Sequence, residues 1–136
     1  MDELFYFSNK TKELQKLQTG IHGISNAILN TPWPKVERSK RHLESLIQQE
    51  DINVWEVIAI LKDTSIAKDE ELPDTGAGLD LERMLSPVFI KSEKYGTRCS
   101  SVVMVDKENN VKFVEKFFFD GIGNFSNKEY KFTINK

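Results

Sequence analysis

The sequence predicts an α+β fold, with two main helices packed on a mostly antiparallel β-sheet. Two apolar runs, 101–105 and 111–119, flank the polar loop 106–110. β-Branched and aromatic residues on both sides of a loop rich in turn formers are typical of a β-hairpin. Apolar residues spaced by three and four over 34–49, and again after Asn53, indicate two amphipathic helices.

The predicted hairpin is expected to form the centre of the sheet. Val102 and Met104 point to one side of its first strand, and Val103 and Val105 point to the other. A strand that is apolar on both faces is usually covered by a layer above and a layer below. We therefore expect packing on both faces of this hairpin.

Shorter strands are predicted near both ends of the chain. The apolar run 4–7 is followed by the polar loop 8–11, which predicts a strand and a turn, with 19–26 as the partner strand. The stretch 88–90 is a candidate short strand, and the alternating residues of 129–134 predict a final strand.

Local signals define the ends of the two helices. Pro34 suits the first position of the helix over 34–49. Asn53 can cap the second helix and Glu56 completes a pair resembling a capping box, while the helix is expected to end near Asp63.

The segment that follows the second helix is acidic and contains glycine and proline. Residues 64–80 therefore predict a long surface loop. Residues 81–85 predict one turn of helix, which Pro87 stops.

Composition predicts one domain, 1–136, of ordinary soluble character. A net charge of −2 disfavours a nucleic-acid or membrane-surface binder, which needs a basic face. No apolar run approaches the roughly 20 residues of a membrane span, and the N-terminus does not resemble a signal peptide. Cys99 is the only cysteine, so no intrachain disulfide can form, which fits a cytoplasmic location.

Two motif-like features carry little functional weight. Residues 72–76 read LPDTG, which matches a cell-wall sorting signal, but the apolar tail that this signal requires does not follow. His22, His42 and Cys99 have no metal-site spacing, and no phosphate-binding loop is recognisable. We therefore predict no metal and no cofactor.

Asn26 and Arg98 are the candidate site residues. An asparagine at the end of a predicted strand can place its amide where a carbonyl oxygen becomes negative. Arg98, at the start of the central hairpin, can hold a carboxylate or steady a nucleophile. From spacing alone, a turn-capping Asn26 and a surface Arg98 remain open alternatives.

Several segments resemble one family. Residues 23–36 resemble the G-[IL]-S-N-A-x-L-x-T-P-W-x-K segment of the NRDE family, also called the transport and Golgi organisation protein 2 family. Residues 72–74, 95–98, Glu115 and 130–133 resemble its C-terminal half in the same order. The resemblance covers essentially the whole chain.

The resemblance implies an N-terminal-nucleophile hydrolase-like fold, a four-layer α-β-β-α sandwich of which this chain is a part. In related amidases an N-terminal cysteine attacks an amide, and its own amino group is the base. By resemblance, Asn26 and Arg98 would have supporting roles in such a site.

The chain departs from the family at its N-terminus. Family members begin Met-Cys and carry an Asn-Arg-Asp-Glu segment, whereas here Asp2 follows Met1 and that segment is absent. Cys99 cannot substitute, because it has no free amine beside it. We therefore expect a truncated, C-terminal portion of an NRDE-type protein that is not catalytic alone.

Three functions remain open. The parent protein is expected either to hydrolyse non-peptide C–N bonds, with Asn26 and Arg98 lining one cleft, or to bind or carry haem or a hydrophobic metabolite without catalysis. The third is a structural or interaction domain. The expected partners are the missing N-terminal half, or a second copy through an exposed sheet, with no nucleic acid and no membrane.

Overall fold

The computed structural model describes residues 3–93, 95–119 and 125–135 and confirms the α+β fold. The helices and strands, in chain order, are β1 (Phe5–Phe7), β2 (Leu14–Lys16), α1 (Pro34–Leu46), α2 (Val54–Ile60), α3 (Leu79–Leu85), β3 (Cys99–Val105), β4 (Asn110–Phe118) and β5 (Phe125–Thr133). A single 3-10 turn, Asp69–Glu71, precedes α3.

The central hairpin is confirmed and extends into a three-stranded meander. β4 lies between β3 and β5, and both pairings are antiparallel, with Val102 opposite Val114. The Asp106 carboxylate accepts backbone N–H groups from Glu108 at 2.9 Å and Asn110 at 2.8 Å. These bonds explain why the polar loop closes the hairpin in this register.

One face of this sheet packs on α2, and there the hydrophobic core forms. Val54 and Ile58 of α2 are buried against Val102 of β3 and the fully buried Val114 of β4. Alternation along the strands places these residues on one face, so a single amphipathic helix can cover them.

The prediction of cover on both faces of the hairpin is wrong within the described residues. Val103 is 61% exposed and Val105 is 55% exposed, and Phe132 on β5 shares their face and is 55% exposed, although Val111 between the last two is buried. The sequence pattern indicated which side chains are apolar, but α2 packs on the opposite face of the sheet, against Val102 and Val114.

The N-terminal hairpin is present, with a partner strand different from the predicted one. β1 pairs with Leu14–Lys16, whereas 19–26 forms bends and no strand. The physical reason lies in the loop, where the Lys12 N–H donates to Ser8 O at 2.7 Å and Lys12 has φ 57°. This turn reverses the chain early enough for residues 14–16 to pair.

Both main helices begin as predicted and end three residues early. α1 starts at Pro34 and ends at Leu46. α2 follows Asn53, whose side-chain oxygen accepts the Trp55 N–H at 2.9 Å, and ends at Ile60. No helix in the described ranges combines the length and apolarity that crossing a membrane requires.

The segment after α2 contains more helix and less strand than predicted. The turn predicted at 81–85 is the longer α3. Residues 88–90 are not a strand, because Phe89 N–H bonds to Asp63 O at 2.8 Å and Ile90 bonds to Thr97. The backbone of this stretch does not join a sheet, and its apolar side chains pack between neighbouring elements.

Candidate functional site

A cavity of about 280 Å³ lies beside the start of α1, and we call it the motif pocket. Its wall includes Asn26, Trp33, Lys35, Leu72, Glu82 and Tyr95. Three segments that are distant in sequence, 23–36, 72–74 and the one beginning at Tyr95, therefore meet around one space. These are segments on which the family resemblance rests.

The loop that carries Asn26 is held by a chain of hydrogen bonds. Asn30, with φ 58°, donates its N–H to Gly23 O at 2.7 Å, and its Oδ1 accepts the Gly23 N–H at 3.0 Å. Asn30 Nδ2 donates to His22 Nδ1 at 3.1 Å, and His22 Nε2 donates to Gln18 O at 2.9 Å. Both ring nitrogens of His22 are therefore engaged.

Gly23 lets this loop approach α1 closely. A Cβ at this position would lie 2.6 Å from Val36 Cγ1, closer than any real contact of this kind. Val36 is itself buried and, as a β-branched residue in a helix, has one strongly preferred rotamer. The absent side chain of Gly23 is therefore what seats the Asn26 loop on the helix.

The N-terminal hairpin also supports the loop. The Leu29 N–H donates to Tyr6 Oη at 3.2 Å, and Lys10 Nζ donates to Asn26 O at 3.2 Å. Strand β1 and its turn thus fix the far side of the segment that forms one wall of the motif pocket.

Two opposite charges line the motif pocket. Lys35 Nζ donates to Leu85 O at 2.8 Å and lies 5.6 Å from the Trp33 ring centroid. Burial of Lys35 lowers its pKa, and the charge of Glu82 opposes that shift. Glu82 is 7% exposed, and its Oε1 accepts the backbone N–H of Thr75 at 3.1 Å and the Thr75 hydroxyl.

A second cavity, of about 490 Å³, adjoins the motif pocket. Asn26, Lys35 and Ile90 line both spaces, so they form the wall between them. Of these two cavities, His22 lines only the second.

The two sequence-predicted site residues occupy different places. Asn26 is exposed on the wall that the two cavities share, in a bend and not at the end of a strand. Arg98 is exposed just before β3, its carbonyl accepts the Phe118 N–H at 2.8 Å, and it lines neither cavity. The supporting roles of Asn26 and Arg98 stay predictions.

The candidate metal ligands are scattered. His42 is exposed on α1 and Cys99 is exposed on β3. Over the ranges that the structure describes, no three His, Cys, Asp or Glu side chains are grouped so that they can hold a metal ion.

Lys35, Thr75 and Glu82 were not singled out from the sequence as site residues. Thr75 belongs to the LPDTG stretch, which forms part of the pocket wall, and Gly76 supplies the positive φ of 81° that the turn needs. No sequence signal marked Glu82 for burial, because its helix, Leu79–Leu85, also carries the charged residues Asp80 and Arg83. No sequence signal joined Glu82 to Lys35.

Comparisons with known proteins agree with the resemblance. Residues 1–120 match the family model described as Transport and Golgi organisation 2. The chain is 29% identical over 143 aligned positions to the human Transport and Golgi organization protein 2 homolog, covering 98% of this chain and 52% of that protein. It is 28% identical over 120 positions to the Drosophila melanogaster Transport and Golgi organization protein 2, covering 80% and 41%.

A mouse relative, the Transport and Golgi organization 2 homolog, is 27% identical over 143 aligned positions, with 98% of this chain and 52% of the relative covered. The chain thus spans about half the length of the curated relatives it matches. Its placement in the C-terminal half of the family stays a prediction.

Proposed function

Because this chain belongs to the Transport and Golgi organisation 2 family, we propose that its motif pocket binds a small, partly apolar metabolite. On this proposal the chain alone is not catalytic. The observation that carries the proposal is the convergence of 23–36, 72–74 and Tyr95 on one cavity. Segments so far apart in sequence meet there only through the fold.

The chemistry of the wall supports a binding role. Trp33, Leu72 and Tyr95 supply aromatic and aliphatic surface, and Lys35 and Glu82 supply charges at two points. Binding sites for small molecules are usually apolar cavities with a few polar groups that fix orientation. A volume of about 280 Å³ is at the lower end for such sites, which favours a small metabolite.

The two tryptophans of the chain allow a direct test. The Trp55→Phe variant retains Trp33 in the pocket wall, and its emission is expected to shift on titration with neutral alcohols and amides of four to six carbons. The matched variant, Trp33→Phe, retains Trp55, which is 39% exposed on α2 and outside the pocket, so its emission should stay constant. Equal responses in both variants, or none in either, would contradict the proposal.

Haem is a separate alternative, and it is larger than the motif pocket of about 280 Å³ can enclose. Haem iron is held by axial His, Cys, Met or Tyr ligands, and Tyr95 lies in the pocket wall. His22 is a poorer candidate, since both of its ring nitrogens are engaged. Added haemin should show a Soret band shifted and sharpened relative to free haemin if haem is the ligand, and the spectrum of free haemin if the metabolite is of another class.

A second candidate function is a contribution to amide hydrolysis. It is supported by the position of Asn26 on the wall between the two cavities, where its side-chain amide can donate to a developing oxyanion. The nucleophile would come from the part of the family's length that this chain does not match. We therefore expect no turnover from this chain alone.

The open face of the sheet supports a partner for that function. Val103, Val105 and Phe132 are exposed apolar side chains on one face of β3–β5, and exposed apolar residues that share a face can mark an interaction surface. The human relative has about half its length outside the match. We propose that this remaining half covers the face, with self-association of this chain as the alternative.

Co-expression with the remaining half of the human relative tests the partner and the hydrolysis together. A one-to-one complex is expected by light scattering, and Phe132→Asp should abolish it. Asn127→Asp, on the other face of the same strand, should not. Cleavage of acyl amides by the complex, lost in Asn26→Ala, would support hydrolysis. A dimer of this chain that does not bind the added half would overturn the proposed partner.

A further inference from the structure

The two charges in the motif pocket point to a particular class of ligand. We propose that the pocket takes a small zwitterion with an apolar side chain, in which a protonated amine and a carboxylate lie on one carbon, as in an aliphatic amino acid. This inference rests on the proposed binding function and specifies its ligand.

Glu82 provides the site for the amine. It is 7% exposed, and its two hydrogen bonds from Thr75 both go to Oε1, so neither uses Oε2. A carboxylate removed from water is unfavourable unless a cation or several donors accompany it. Thr75 supplies two neutral donors and Lys35 a positive charge that acts through space, and a ligand ammonium would add a direct charge-assisted hydrogen bond.

Lys35 provides the site for the carboxylate. Its ammonium carries three protons, and one of them is directed to Leu85 O at 2.8 Å. The lowered pKa of Lys35 indicates that burial destabilises its charged form more than the negative charge of Glu82 stabilises it. An anion placed beside Lys35 would offset that cost.

The arrangement of the two charges disfavours ligands with one charge. Glu82 acts on Lys35 through space, while the Lys35 ammonium is directed to a backbone carbonyl. An anion that reaches Lys35 is repelled by Glu82, and a cation that reaches Glu82 is repelled by Lys35. A zwitterion can place its ammonium beside Glu82 and its carboxylate beside Lys35, so that each residue faces the opposite charge.

The rest of the wall suits an aliphatic side chain. Trp33, Leu72, Ile90 and Tyr95 line the same cavity as the two charges. Burial of one branched aliphatic group against such surface is favourable, and a leucine-sized molecule suits a cavity of about 280 Å³.

Four compounds that share an isobutyl group separate the charges. In the Trp55→Phe background, Trp33 emission is followed with L-leucine, N-acetyl-L-leucine, L-leucinamide and isoamyl alcohol, which carry both charges, the negative one, the positive one and neither. Leucine should bind at least about tenfold more tightly than each of the others, because a charge-assisted hydrogen bond contributes more than 1.4 kcal/mol.

Two substitutions assign each preference to its residue. Glu82→Gln keeps an acceptor for Thr75 and should remove the advantage of leucine over N-acetyl-leucine, and Lys35→Met should remove its advantage over leucinamide. Asp80→Asn, a fully exposed carboxylate on the same helix, and Lys107→Met, in the distant hairpin loop, are the matched controls and should change neither preference. Thermal unfolding of each variant identifies any that fail to fold.

The outcomes separate this inference from the binding proposal on which it rests. If Trp33 emission shows that isoamyl alcohol or N-acetyl-leucine binds as tightly as leucine, the pocket binds small molecules and the zwitterion inference is overturned. If none of the four compounds, nor any neutral probe, changes Trp33 emission, both proposals fail. If the preference for leucine persists in Glu82→Gln and Lys35→Met, the charges named here are not its origin.

Discussion

Replacing Gly23 with alanine is expected to lower the free energy of unfolding by about 1–3 kcal/mol, the usual cost of overpacking. The new Cβ would lie 2.6 Å from Val36 Cγ1. Val36 cannot easily adopt another rotamer, because valine in a helix has one strongly preferred χ1 value. The loop must therefore shift away from α1, and it carries Asn26 with it. Urea unfolding measures the first effect, and Trp33 emission in the Trp55→Phe background reports the second.

The Gly23→Ala/Val36→Ala double variant is the control for this prediction. Val36→Ala alone removes buried methyl groups and should destabilise the protein. In the double variant the space left by the two methyl groups accepts the new Cβ, so the loss should be smaller than the sum by about 1 kcal/mol or more. Strict additivity would show that Gly23 does not owe its role to contact with Val36.

Replacing Arg38 with alanine is expected to lower the free energy of unfolding by about 2–3 kcal/mol. Arg38 Nε donates to Asp63 Oδ2 at 2.9 Å, and Arg38 Nη2 donates to Ser65 O at 2.7 Å, which joins α1 to the segment that leaves α2. The two charged side chains are 20% and 15% exposed. Removing one partner of a mostly buried pair leaves the other charge uncompensated.

Arg41→Ala is the matched control, because Arg41 is exposed on the same helix. This variant should stay within about 0.5 kcal/mol of the parent protein. An equal loss from both arginines would mean that helix propensity, and not the Asp63 contact, explains the result.

The stability that Arg38 provides should also depend on pH. Burial of Asp63 pushes its pKa upward, but hydrogen bonds from Ser65 and Arg38 outweigh burial and leave the pKa below its ordinary value. Such a carboxylate stabilises the fold fully above its unfolded-state pKa, and the contribution is lost as pH falls through the lower folded-state value. The difference in the free energy of unfolding between the parent protein and Arg38→Ala should thus be full at pH 7 and should decrease below about pH 4. A gap that does not change with pH would contradict this assignment.

Local patterns were sufficient for much of the fold. The β3–β4 hairpin follows from β-branched and aromatic runs around a loop whose Asp106 can accept nearby N–H groups. Pro34 and Asn53 set the starts of α1 and α2 through φ restriction and capping, which act over a few residues. These features are encoded within one turn or one hairpin, so the sequence reveals them directly.

Local patterns failed where a contact spans distant segments. The stretch 19–26 has strand-like composition, yet Asn30 and α1 hold it as a loop because Gly23 fits against Val36. Val103 and Val105 are as apolar as core residues, but no described helix covers their face of the sheet. Composition predicts which side chains favour burial, and it does not say whether the chain supplies the surface that buries them.

The sequence by itself determined the fold class, the main helices, the central hairpin and the family, because propensity, capping and motif spacing act over short distances. The site roles of Asn26 and Arg98, single-domain organisation and a cytoplasmic location stay predictions. Only the tertiary structure brought Lys35 and Glu82 into one cavity and left one face of the sheet open. The distance between those two side chains depends on how α1 and α3 pack, and no local pattern encodes that packing.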